Sequence, residues 1–179
     1  MSVVVEAGAP PVSLAEVKAY LRLDTDAEDA LLAGLVRTAS GLCEAFTGQV
    51  LMSSVRAAEV PADGAWHRLM PTPVKRLVTA RGLDASGAEL PLLPDALDLQ
   101  VDFCGDGWVR VLPDAGAVRA VLSVEAGLAT DWNALPEALR QGIVRLVAHL
   151  YANRDRQEEG GPPAAISALW RPWRRMRLS

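Results

Sequence analysis

The chain has 179 residues, half of them apolar but only 5% aromatic, and a formal net charge of −4; this suits one compact domain with an appendage, hiding roughly 70% of its extended-chain surface on folding. No apolar stretch approaches the roughly 20 residues of a membrane-crossing helix, and no charged N-terminal region leads into a hydrophobic segment and cleavage site, so a chain made and kept in the cytoplasm is expected. Cys43 and Cys104 are far apart and lack CxxC spacing. That argues against a disulfide framework or zinc site, and both are expected to be buried small apolar residues.

In chain order, Val3-Val4-Val5 is a short β-prone run closed by Pro10-Pro11. Ser13-Leu14-Ala15-Glu16 has capping-box form, with Ser13 accepting from the Glu16 amide and the Glu16 carboxylate reaching back. A helix over about 14–23 follows, its Leu14, Val17, Tyr20 and Leu21 on one face, and Asp24-Thr25-Asp26 supplies a stop and the next cap. The second helix spans about 27–47. Its apolar stripe combines Leu31, Leu35, Leu42 and Phe46 with Leu32, Val36, Ala39 and Cys43, and Gly48 is placed for a left-handed cap.

From about residue 50 to 124 the signals change to β. Short apolar runs such as Leu77-Val78-Thr79 and Trp108-Val109-Arg110-Val111-Leu112 are separated by prolines and by the turn candidates Asp63-Gly64, Ser86-Gly87 and Asp106-Gly107. A third long helix over about 136–153 opens on Pro136 and carries Leu139, Ile143, Leu146, Val147 and Leu150 as its stripe. Residues 153–163 are polar, then rich in Gly and Pro, and read as a linker. The expected fold is therefore mainly α: a helical bundle of long amphipathic helices with a small antiparallel β insert and an extended C-terminal tail. The body would be 1–159 and the linker and docking tail 160–179.

Charge is unevenly spread. Ten acidic residues from Asp84 to Glu137 face only Arg110 and Arg119, whereas eight arginines follow Ala138 against Asp155, Glu158 and Glu159. Such a division is read either as a solvated acidic surface with an accidental basic tail or as complementary faces for self-association or partner choice. Catalytic chemistry is not indicated. His67 and His149 lie in no motif, no glycine loop has the pattern that cradles phosphate, and the carboxylates from Asp24 to Asp29 lack the Gly and Glu of a calcium loop. No catalytic residue, cofactor or metal site is assigned.

The order of elements carries a resemblance. Ser13-Leu14-Ala15-Glu16-Val17-Lys18-Ala19-Tyr20-Leu21-Arg22, the Phe46-Thr47-Gly48 helix end, a β insert, and a helix from Leu135-Pro136-Glu137 to Tyr151-Ala152-Asn153-Arg154 together resemble the head-tail connector (adaptor) family of long-tailed phages, including the version in phage-like gene transfer agents. The resemblance implies a structural subunit assembled in the bacterial cytoplasm into a ring, usually of twelve copies, under the portal of a phage or gene transfer agent particle. Its partners would be the portal protein, neighbouring adaptor copies and a neck or tail-completion (stopper) protein. DNA would pass through the channel without sequence-specific binding, and no membrane is involved.

Carried onto this chain, the portal-docking tail would use Ile166, Leu169, Trp170, Arg171, Trp173, Arg174, Arg175 and Arg177. It would be disordered in the free subunit and fold on docking. Asp95, Asp98, Asp102 and Asp106 would line the channel, where negative charge lets DNA slide. The alternative is a non-specific nucleic-acid-binding module acting through the basic tail, against which stand the negative net charge and the missing basic-aromatic pattern.

Overall fold

The computed structural model describes residues 13–113, 116–154 and 161–175. The Val3-Val4-Val5 run, Pro10-Pro11, the middle of the expected linker and Arg177 lie outside the described residues. Among the described residues no helix is long and apolar enough to cross a membrane.

The described residues form two compact units, one of residues 53–128 and one of residues 13–52 with those from 129 onward. In the second unit, α1 spans Leu14–Leu21, α2 Asp29–Thr47, α3 Glu137–Ala152 and α4 Ala164–Trp170. Ser13 caps α1 as expected, its Oγ accepting from the Glu16 amide at 3.1 Å. The Glu16 carboxylate does not complete the capping box; it accepts instead from Trp132 Nε1. α1 stops after two turns because Arg22 turns left-handed, at φ 58°, and the Leu23 amide returns to the Lys18 carbonyl. Gly48 caps α2 at φ 69°.

Each long helix buries one stripe. From α2 it is Leu32, Val36, Ala39 and Cys43, and from α3 Leu139, Ile143, Leu146 and Val147. Leu31 and Leu42, expected in the α2 stripe, are exposed, while Leu35 and Phe46 of the same row are half-buried. Burial pushes the Cys43 thiol up to about 12. Cys104, expected inside, is exposed on a loop.

Residues 53–128 hold seven strands: β1 Ser54–Pro61, β2 Trp66–Arg68, β3 Val74–Leu83, β4 Glu89–Leu90, β5 Leu97–Val101, β6 Gly107–Val111 and β7 Arg119–Ala126. They make a four-stranded sheet in the order β1-β7-β3-β4 and a three-stranded sheet in the order β2-β6-β5, antiparallel throughout. The central strand β7 explains the arrangement. Its Ala120, Leu122, Val124 and Ala126 are all fully buried and alternate with Arg119, Val121, Ser123 and Glu125, the period-two pattern of a sheet with one wet face. Ala120, Leu122 and Val124 of this row join Val60, Leu69, Val74, Val109 and Val111 in a core of residues from this unit.

The expectation of a mainly α bundle with a small insert and an extended tail is thus overturned. Two of the four helices are only eight and seven residues long, while the strands build an independent hydrophobic core. Nor is the last described segment extended: it is helical and packed, as described below.

Turn chemistry is mostly as expected. Gly64 at φ 78° and Gly87 at φ 85° turn the chain between β1 and β2 and between β3 and β4. At the third site the left-handed residue is Gly105, at φ 82°. Gly107 serves packing instead, since a Cβ there would approach Val74 Cγ2 to 2.8 Å.

Several carboxyls are held below their ordinary range: Asp26 by the Lys18 ammonium, Glu28 by the Tyr151 hydroxyl and then Arg154, Asp63 by His67, and Asp84 by the Ser86 hydroxyl. A lowered folded value means that the contribution is complete above the unfolded value, near 3.8 for Asp and 4.5 for Glu, and is lost as pH falls through the folded one. Thermal melts should therefore be level from about pH 7 to 5 and decline modestly below about pH 4, the groups being solvent-exposed. A melting temperature unchanged down to about pH 2 would contradict this.

Candidate docking surfaces

The C-terminal segment is anchored by its own aromatic residues. Trp170 ends α4 and is 0% exposed. Its indole fills a notch on α3 that exists because residue 142 is glycine: a Cβ there would clash with Trp170 Nε1. Nε1 donates to the Leu139 carbonyl at 3.4 Å, and the ring tilts against Phe46 with centroids 5.9 Å apart. Ile166, one turn earlier, is also buried, and Leu169 is half-buried.

A 3-10 turn over Arg171–Trp173 follows. There the Trp173 carbonyl accepts from Gln49 Nε2 at 2.5 Å, and the Arg175 amide donates to the Thr47 carbonyl at 2.8 Å. These bonds tie the segment to the end of α2. The Arg174 guanidinium lies 5.6 Å over the Phe46 ring. Arg171 and Arg174 are exposed, while Trp173 and Arg175 are half-buried. Of the eight residues assigned to the tail, Ile166 and Trp170 are therefore committed to the chain's own core, five remain wholly or partly at the surface, and Arg177 lies outside the described residues.

The four aspartates cluster around β5, yet half of their charge is compensated. Asp98 pairs with Arg110 at 2.5 Å and Asp106 with Arg68 at 2.7 Å, with Thr72 Oγ1 also donating to Asp106 at 3.0 Å. Asp102 shapes the β5–β6 loop by accepting from the Cys104 and Asp106 amides. Asp95 is exposed in the 3-10 turn before β5. Asp95 and Asp102 have no cationic partner among the described residues. As a channel lining the group would present two uncompensated carboxylates, Asp95 and Asp102, rather than four.

Around the same strands lies a surface the sequence reading passed over. β2, β6 and β5 turn one row of side chains to solvent: Trp66, Arg110 and Asp98 in one register line, Arg68, Trp108 and Gln100 in the next. Trp66 is 36% and Trp108 41% exposed, the Arg110 guanidinium lies 5.1 Å over the Trp66 ring, and Phe103 at the hairpin tip is completely exposed. The available signal was the alternation in Trp108-Val109-Arg110-Val111, with Val109 and Val111 inward and Trp108 therefore outward.

The histidines hold structural positions. His67 Nε2 meets Asp63 Oδ1 at 2.8 Å on an exposed turn, and His149 on α3 lies beside the Asn153 amide. Among the described residues, no group of three or more His, Cys, Asp or Glu side chains could hold a metal ion.

Residues 11–80 match the family model described as phage gp6-like head-tail connector protein. Over its whole length the chain is similar to a chain in the neck of an empty gene transfer agent particle computed with C6 symmetry, at 27% identity and TM-score 0.79, covering 100% of this chain and 98% of that one. It is likewise similar to a chain of the native gene transfer agent virion, at 26% and 0.76, and to one in the native neck computed with C12 symmetry, at 26% and 0.75. Both again cover 100% of this chain and 98% of the other. No curated protein matches by sequence.

Proposed function

We propose that this chain is a head-tail connector, as the match over residues 11–80 and the likeness to gene transfer agent neck chains support, and that twelve copies of it close into a ring in the neck of a phage-like particle. The ring joins the portal protein to the stopper or tail-completion protein, and DNA passes through it without sequence-specific contact. The chain is a structural subunit, and its work is binding, not catalysis. The observation that carries this reading is the full-length likeness to neck chains of gene transfer agent particles computed with C6 and C12 symmetry.

The portal contact falls to the end of the chain, in a form changed by the packing of Trp170. An anchored 3-10 turn presents Arg171, Trp173, Arg174 and Arg175, with Arg177 following. Guanidinium groups on a positioned segment favour bidentate pairing with carboxylates of a partner, and a segment ordered beforehand loses less freedom on docking than a free arm. Repetition around a ring multiplies a modest contact, since each later attachment occurs at high effective concentration.

Electron microscopy of particles carrying a gold label on the chain's C-terminus should place a ring of label in the neck, on the side of the portal. Label absent from the neck, or found at the distal end of the tail, would overturn the assignment.

A further inference from the structure

The outward face of the β2-β6-β5 sheet is the most aromatic exposed surface among the described residues, and none of them covers it. A sheet with one face on a core is expected to turn polar side chains to water. Here Trp66 and Trp108 occupy that side, and Phe103 is completely exposed at the tip of the adjoining β5–β6 hairpin. The charges around them are locked in place: Arg110 is held by Asp98 and stacks on Trp66, and Arg68 is held by Asp106. An aromatic centre with a rim of fixed polar groups is the anatomy of a protein–protein contact, and Trp is enriched among the residues that dominate such contacts.

We propose that this face, with the Phe103 hairpin tip, is the seam between adjacent copies of the chain in the ring. The inference rests on the neck-ring reading above and deepens it. A closed ring of more than two copies is built head to tail, so each copy offers two different and complementary surfaces to its neighbours. The chain has such a pair. Asp95 and Asp102, before and after β5, lack cationic partners among the described residues, so two copies of this face repel each other. On the helical unit, Arg37 of α2 and Arg145 of α3 are exposed and meet no carboxylate among the described residues. Anion-rimmed aromatic rings on one copy and guanidinium groups on the next are complementary both by charge and by cation–π attraction. The aspartates around β5 then serve the seam rather than the channel.

The test uses assembled particles in which Phe103 is replaced by the photo-crosslinker p-benzoylphenylalanine. Irradiation should yield a product of two copies of the 19.1 kDa chain, with the attached peptide mapping to α2 or α3. A product with a different neck protein, or none from particles whose necks contain the ring, overturns the seam alone. Particles in which the chain forms no ring overturn the neck reading and the seam with it. In a second arm, the Trp66→Ala/Trp108→Ala double variant should melt like the parent chain yet form rings roughly thirtyfold less readily, the loss expected when an interface hot spot is removed. Undiminished ring formation by that variant equally overturns the proposal.

Discussion

Trp170→Ala should destabilise the helical unit by about 3–5 kcal/mol, the range for emptying a buried large aromatic site, which for a chain of this size lowers the melting temperature on the order of 10 °C. The prediction follows from the completely buried indole, its bond to the Leu139 carbonyl and its contact with Phe46. Gly142→Ala gives an independent check through its sign. In the middle of a helix, Ala is favoured over Gly by about 1 kcal/mol, so a glycine with no packing duty would make the substitution stabilising. Here the added methyl clashes with the indole, and overpacking costs about 1–3 kcal/mol. Differential scanning calorimetry of both variants decides the matter: a free tail would leave Trp170→Ala at the parent melting temperature and make Gly142→Ala slightly more stable.

The double variant Arg171→Glu/Arg174→Glu should retain the fold and abolish attachment to portal-bearing heads. Its stability cost is small, because Arg171 and Arg174 are exposed and the Arg174 stack on Phe46 is worth roughly 0.5–1 kcal/mol at such a site. The melting temperature should fall by no more than about 4 °C. Attachment should collapse, since each reversal turns a charge-assisted pair into a like-charge contact and the effect repeats around the ring. Deleting the segment from Ala164 onward is a poorer test, because it removes Ile166 and Trp170 from the core and confounds unfolding with loss of docking. Normal head attachment by the charge-reversed chain, assayed by gradient sedimentation of assembly mixtures, would remove the portal role from these arginines.

The long helices were legible because local rules and tertiary packing agree there. The Ser13 cap, the Gly48 stop and the α3 stripe all stand where the sequence places them, each depending on spacing within a few residues. The family resemblance drawn from the order of elements likewise agrees with the match over residues 11–80 and the full-length neck similarity. The balance of the fold was misjudged for a definite reason. Read alone, β7 is one short strand of eight residues; its weight comes from lying between β1 and β3, and such pairings are non-local. Likewise, Glu16 completes a capping box by its local pattern, but the indole of Trp132, 116 residues later, takes its carboxylate.

The C-terminal segment marks the division most sharply. Its composition alone determined that a cluster of tryptophan and arginine follows a Gly- and Pro-rich stretch, and that its charge is opposite to that of the middle of the chain. Whether each tryptophan was free for a partner could not be read there, because burial depends on what faces the residue. Gly142, an unremarkable position within α3, opens the notch that Trp170 fills, while Trp66 and Trp108, scattered in the sequence, are brought onto one open sheet face by strand register. Periodicity determines which side of an element is apolar; only the packing of distant segments decides which apolar side remains uncovered.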